Sequence, residues 1–166
     1  DVAPKAVENF KGLAKEGYYD GLTFHRVIED FMIQGGDPTG TGTGGESFFG
    51  SDFGPEYKDG YFPYKGTLCM ASVSGVENSL SSQFFIVQAG PETASSEQVE
   101  DLPESIQRLY MEKGGTPHLY KAHTVFGYVY EGMDIIDKVA KTKTDDNDKP
   151  LNNVIIKSVK IEEIKE

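Results

Sequence analysis

The stretch Thr23-Phe24-His25-Arg26-Val27-Ile28, followed by Phe31-Met32-Ile33-Gln34-Gly35-Gly36-Asp37, decides how the chain is read. Both halves are rich in β-branched and aromatic residues, which predicts two short strands over 23–28 and 31–34. The pair carries one cation, Arg26, beside an apolar floor of Phe31 and Met32 and a carboxamide, Gln34. It holds no acid–base pair and no set of metal ligands, a combination that suits binding more than bond cleavage. Strand alternation sends His25 to the face opposite Arg26, so His25 reads as structural.

Further β-rich runs at 67–72, 84–88 and 124–130 are separated by glycine, proline, serine and aspartate, and Val154 to Ile164 reads as a final strand. Many short strands with turn-rich connections predict a β-barrel or sandwich. Between residues 4 and 16, Ala6, Val7, Phe10, Leu13 and Ala14 recur at helical spacing, with Pro4 suited to the first helical position and Gly17 to the stop. A second helix is predicted over 132–141, where Met133, Ile136, Val139 and Ala140 share a face. The segment 95–113 departs from this β-rich background. Val99, Leu102, Ile106, Leu109 and Tyr110 are spaced helically and Pro103 can begin a helix, so it reads as a helical insertion, either surface decoration or a lid or partner-docking element.

The 166 residues make one domain, 1–166, long enough to enclose a core. With 37% hydrophobic residues and no long apolar run, the chain predicts a soluble globular protein without a membrane span. Its 27 acidic against 16 basic residues give a net charge of −11, which disfavours nucleic acid and anionic lipid as partners. A single cysteine, Cys69, excludes an internal disulfide, and its apolar surroundings read as a small buried residue, not a reactive thiol.

Three tempting motifs fail on spacing. Glycine-rich residues 40–45 lack the Gly-Lys-Ser/Thr of a phosphate loop and read as a tightly folded loop. Asp145, Asp146 and Asp148 lack the glycine and terminal glutamate of a calcium loop and read as a solvated acidic turn. Three histidines and one cysteine show no zinc spacing, and neither metal nor cofactor is expected.

The opening stretch is similar to the signature of the cyclophilins, the peptidyl-prolyl cis/trans isomerases, and other landmarks follow in the family's order. Asp1-Val2-Ala3-Pro4 through Asn9-Phe10 resembles the opening helix, and Gly40 through Ser47 the glycine-rich loop. Leu68-Cys69-Met70-Ala71, Ser82-Gln83-Phe84-Phe85-Ile86 and His123-Thr124-Val125-Phe126-Gly127 resemble the walls of the active site. The resemblance is bacterial in character. It implies a mainly β fold, a closed antiparallel barrel capped by two α-helices.

By the same resemblance, Arg26 is the donor that meets a twisting prolyl nitrogen, and Gln34 binds the substrate carbonyl and helps hold Arg26. Phe31, Met32, Phe85, Leu119 and His123 line the proline pocket. The backbone around Ala71 and Ser72 pairs with an extended peptide, and Gln83 borders the site. The implied partners are proline-containing polypeptides, met by a monomer located in the cytoplasm. Read singly, Arg26 is a surface cation awaiting a carboxylate, and Phe31, Met32 and Phe85 are ordinary core residues; the joint match carries the functional reading.

Departures from the family pattern carry their own expectations. His118 stands where many members have tryptophan, which predicts weak cyclosporin binding. Ser72 replaces a common asparagine at a position that acts through its backbone. The connection from Ser72 to Gln83 is about two residues longer than usual for the family. Two strands that members carry ahead of the Asp1–Pro4 region are missing, and an open edge is one that soluble proteins avoid, so the sequence is expected to be a fragment; a signal peptide or lipid-anchor cysteine ahead of Asp1 would redirect the location. Two rival functions remain, a non-catalytic proline-peptide-binding module and a small-molecule barrel carrier. Arg26 with Gln34 argues against the carrier, and Arg26 favours an enzyme over a passive module.

Overall fold

Strand β4, Phe84–Val87, is buried along its whole length because both faces of its sheet are covered. The computed structural model describes residues 2–163. Its sheet has the order β1 (Phe24–Ile28), β2 (Met32–Gly35), β4, β3 (Thr67–Met70) and β5 (Val125–Tyr128), with every neighbouring pair antiparallel. On one face Val27, Ile33, Phe84 and Ile86 pack against Leu13 and Ala14 of helix α1 (Pro4–Lys15). Ala140 of the helix Met133–Ala140 joins the same core. On the other face Met32, Cys69, Phe85, Val87 and Val125 form a second apolar cluster, the base of the candidate site.

Helix α1 begins at Pro4, whose missing N–H costs nothing in the first turn, and the chain turns away through Gly17 at φ 72°. Its buried Asn9 is satisfied, donating to the Ser81 carbonyl (2.7 Å) and accepting from the Phe48 N–H (2.8 Å). The helical spacing in 95–113 corresponds to a 3-10 turn at Ser96–Gln98 and helix α2, Glu104–Lys113. Tyr110 of α2 and Val99 pack on Phe62, whose ring stacks on Tyr120 at 4.2 Å. Helix α3 is Met133–Ala140.

Hydrogen bonds among the described residues do not close the expected barrel. Strand β5 ends the sheet on one side. Beyond β1, the final run contributes one isolated bridge, Thr23 with Ile155, flanked by bonds from Phe24 N–H to Val154 O (3.0 Å) and Ile156 N–H to Leu22 O (2.8 Å). The strand expected over Val154 to Ile164 therefore stops early, because the Val159 N–H goes to the Asp20 carboxylate (3.0 Å) instead of to a strand backbone. Ile164 and Asp1 lie outside the described residues.

Candidate active site

One row of cross-strand neighbours builds the site. Arg26 faces Gln34, Gln34 faces Phe85, and Phe85 faces Cys69. Directly opposed residues share a face of a sheet, so the cation, the carboxamide and the aromatic ring are set side by side by strand pairing alone. The register shifts between Phe24 and Arg26, which leaves His25 as the extra residue of a bulge. His25 is buried and Arg26 exposed, as alternation predicts.

Above this row lies a cavity of about 140 Å³. Arg26 and Gln34 stand at one side, Phe31, Met32 and Phe85 supply apolar wall, and Ala71, Ser72, Leu119 and His123 complete the lining. Its size suits one compact side chain, well below the usual volume of a drug-sized ligand site. A larger groove of about 700 Å³ between α1 and β5 is lined by Val2, Val7, Phe48 and Tyr128 and contains none of the nine residues around the smaller cavity.

Gln83 does not line the cavity; it stands one step behind. Its Nε2 donates to the carbonyls of Gly42 (3.0 Å) and Gly44 (2.7 Å), and carbonyls only accept. Its Oε1 must then accept, from Gln34 Nε2 at 2.9 Å. The orientation of Gln34 follows: one amide hydrogen is engaged, while the other and the carbonyl oxygen remain for a ligand. The expectation that Gln34 also holds Arg26 is not met, since Arg26 Nε instead lies 3.5 Å from Asp148 Oδ2. The acidic turn read as solvated thus includes the ion-pair partner of the site's cation.

The glycine-rich loop that Gln83 grips is itself wrapped around Asp37. Asp37 accepts from Thr39 N–H (2.7 Å) and hydroxyl (2.8 Å), and from the N–H groups of Thr41 (3.1 Å), Gly42 (2.6 Å) and Gly44 (3.2 Å). Burial pushes this carboxyl up, but the bonds from Thr39, Gly44 and Gly42 outweigh it and bring the pKa down to about 2. A Cβ on Gly44 would collide with the Asp37 carboxylate, and Gly42 sits at φ 88°, so glycine is needed at both places.

His123 Nδ1 lies 3.2 Å from the Met70 carbonyl and 3.3 Å from Ser72 Oγ. The carbonyl can only accept, which assigns the proton to Nδ1 and leaves Nε2 bare in the neutral ring. Burial lowers the pKa of His123; the Met70 bond opposes this and His118 adds to it. Phe85 meets the imidazole edge-on at 5.1 Å. At the rim the exposed His118 stacks on Phe31, rings 5.9 Å apart. The Ala71 N–H donates to the Gln83 carbonyl (3.0 Å).

Among the described residues no group of three or more His, Cys, Asp or Glu is placed to hold a metal ion, and no helix is long and apolar enough to cross a membrane. Burial raises the pKa of the Cys69 thiol, which stays neutral behind Phe85. Residues 1–161 match the model of the family described as cyclophilin type peptidyl-prolyl cis-trans isomerase. The chain belongs to the cyclophilins.

Relatives provisionally named peptidyl-prolyl cis-trans isomerases include those of Staphylococcus saprophyticus and Staphylococcus aureus, each 51% identical over 98% of this cyclophilin and 83% of the relative. Among solved structures, a Cryptosporidium parvum cyclophilin type isomerase crystallised in the presence of the dipeptide Ala-Pro is 33% identical. It has a TM-score of 0.78 and covers 97% of this chain and 87% of its own. Two groups that shape the cyclophilin site had no legible role in the sequence. Asp148 lies far from Arg26 along the chain, and nothing in its spacing points there. Asp37 closes the opening motif, but its five donors converge only once the loop folds.

Proposed function

We propose that this cyclophilin catalyses cis/trans isomerisation of Xaa-Pro bonds in polypeptides by offering a guanidinium hydrogen bond to the prolyl nitrogen. The observation that carries the reading is Arg26 at the wall of a proline-sized cavity that Phe31, Met32, Phe85 and Leu119 also line. An amide resists twisting with a barrier of roughly 18–20 kcal/mol, so spontaneous exchange takes tens to hundreds of seconds. No covalent bond is made or broken. As conjugation is lost the nitrogen becomes pyramidal and regains a lone pair, which the planar ground state does not offer. A donor waiting there binds the twisted state selectively.

In this reading the proline ring enters between Phe31, Met32, Phe85, Leu119 and His123. Gln34, its amide turned by Gln83, offers a hydrogen and an oxygen to the flanking peptide group. The Ala71 carbonyl and Ser72 pair with the extended substrate. Arg26 contributes a charge-assisted bond of about 1.5–3 kcal/mol, or about one to two powers of ten in rate. Millisecond turnover needs roughly 6 kcal/mol, so backbone anchoring and a wall that favours the less polar twisted amide supply the remainder.

A second reading, a binding module that holds proline peptides without turning them, uses the same cavity. The exchange rate of an Ala-Pro peptide, measured by NMR with catalytic amounts of protein, separates the two. Exchange faster by orders of magnitude supports the isomerase; line broadening from binding with unchanged exchange supports the module.

A further inference from the structure

Asp148 stands at φ 61°, a left-handed conformation that glycine adopts with less strain. Its backbone is tied down regardless. The Asp148 carbonyl accepts from Val27 N–H (2.8 Å), the residue after Arg26 in β1, and its N–H donates to Asp145 O (3.1 Å). Asp145 in turn caps the turn, its Oδ1 accepting from Asn147 N–H (2.9 Å) and Lys149 N–H (3.0 Å). The carboxylate thus reaches Arg26 from a fixed piece of backbone, not from a free surface chain. The two side chains are 44% and 43% exposed, and an ion pair this exposed contributes little to stability.

From these contacts we infer that Asp148 is a positioning residue for Arg26. Arginine is long and flexible, and its planar fork recognises a partner only when its orientation is set. A carboxylate 3.5 Å from Nε biases that plane through a single contact, while Arg26 still lines the cavity. An aspartate in a glycine-like conformation keeps the anion at a point where the backbone is hydrogen-bonded to β1 next to Arg26. The inference rests on the reading of Arg26 as the donor to the prolyl nitrogen.

Two variants test it. Asp148→Asn keeps shape and removes charge, and Asp148→Gly removes the side chain while easing the backbone, so folding is not at risk. For both, kcat is expected to fall about two- to fivefold with KM nearly unchanged and the melting temperature held. The NMR order parameter of Arg26 Nε–Hε is expected to drop as well, which a purely structural role would not cause. Unchanged kcat, a rise in kcat, or a loss of kcat with Arg26 Nε still ordered would each overturn the inference. If Arg26→Ala keeps full turnover, the reading of Arg26 fails on its own, while the Nε order in Asp148→Asn still reports whether Asp148 holds the side chain.

Discussion

Gln83 donates both hydrogens of its amide to the glycine-rich loop and turns its oxygen to Gln34, 2.9 Å away. The loop and the candidate site therefore share one carboxamide. Gln83→Ala leaves the Gly42 and Gly44 carbonyls unpaired and Gln34 free to rotate. Stability is expected to fall by about 1–3 kcal/mol in urea denaturation, and kcat/KM about five- to tenfold through the loss of one oriented bond. Gln83→Glu is expected to be no milder, because it sets an anion against two carbonyls.

Asp37 makes the loop's fold sensitive to strong acid. Its pKa falls from 3.8 to about 2 on folding, so its contribution is complete above the unfolded value and is lost as pH drops through about 2. At neutral pH that contribution is about 2 kcal/mol. Asp37→Ala is expected to lower stability by at least this much near pH 7 and by progressively less toward pH 2, followed by denaturation at a series of pH values.

The histidines act in a higher window. Burial holds the pKa of both His25 and His123 below the ordinary value of 6.5, so the folded protein favours the neutral rings. Their stabilisation is complete above 6.5 and is lost as pH falls through the lowered folded values. Denaturation midpoints are expected to stay level from pH 8 to 7 and decline below 6.5. His25 has no hydrogen-bond partner on either ring nitrogen among the described residues. His25→Leu is expected to flatten part of that decline, and a midpoint that falls as steeply would contradict the assignment.

The pocket rim is expected to set inhibitor affinity. With His118 and not tryptophan stacked on Phe31, cyclosporin is expected to inhibit isomerisation only above micromolar concentrations. His118→Trp is expected to tighten inhibition with little change in kcat/KM. Submicromolar inhibition of the unaltered protein would refute this.

Local signals carried far in this chain. Pro4 and Gly17 bracket α1, and the apolar runs became β1 to β5 within a few residues. The strands bring Arg26, Gln34 and Phe85 into one row, whereas in the sequence only the family resemblance joined Phe85 to the other two. Closure of the barrel was not legible, because alternation in Val154 to Ile161 reports which side chains are covered and says nothing about where the backbone amides go. The partners of Arg26 and Gln34 were hidden for a related reason: ion pairs and amide orientations depend on contacts between distant segments, which no periodicity encodes.

The central claim is that Arg26 acts on the twisted amide and not on the bound ground state. Measuring cis/trans exchange and binding of one Ala-Pro peptide by NMR, with the unaltered protein and with Arg26→Ala, tests it most directly. The account predicts kcat lower by about ten- to a hundredfold with peptide affinity nearly retained. Equal kcat in the two proteins, or a loss confined to affinity, would contradict it.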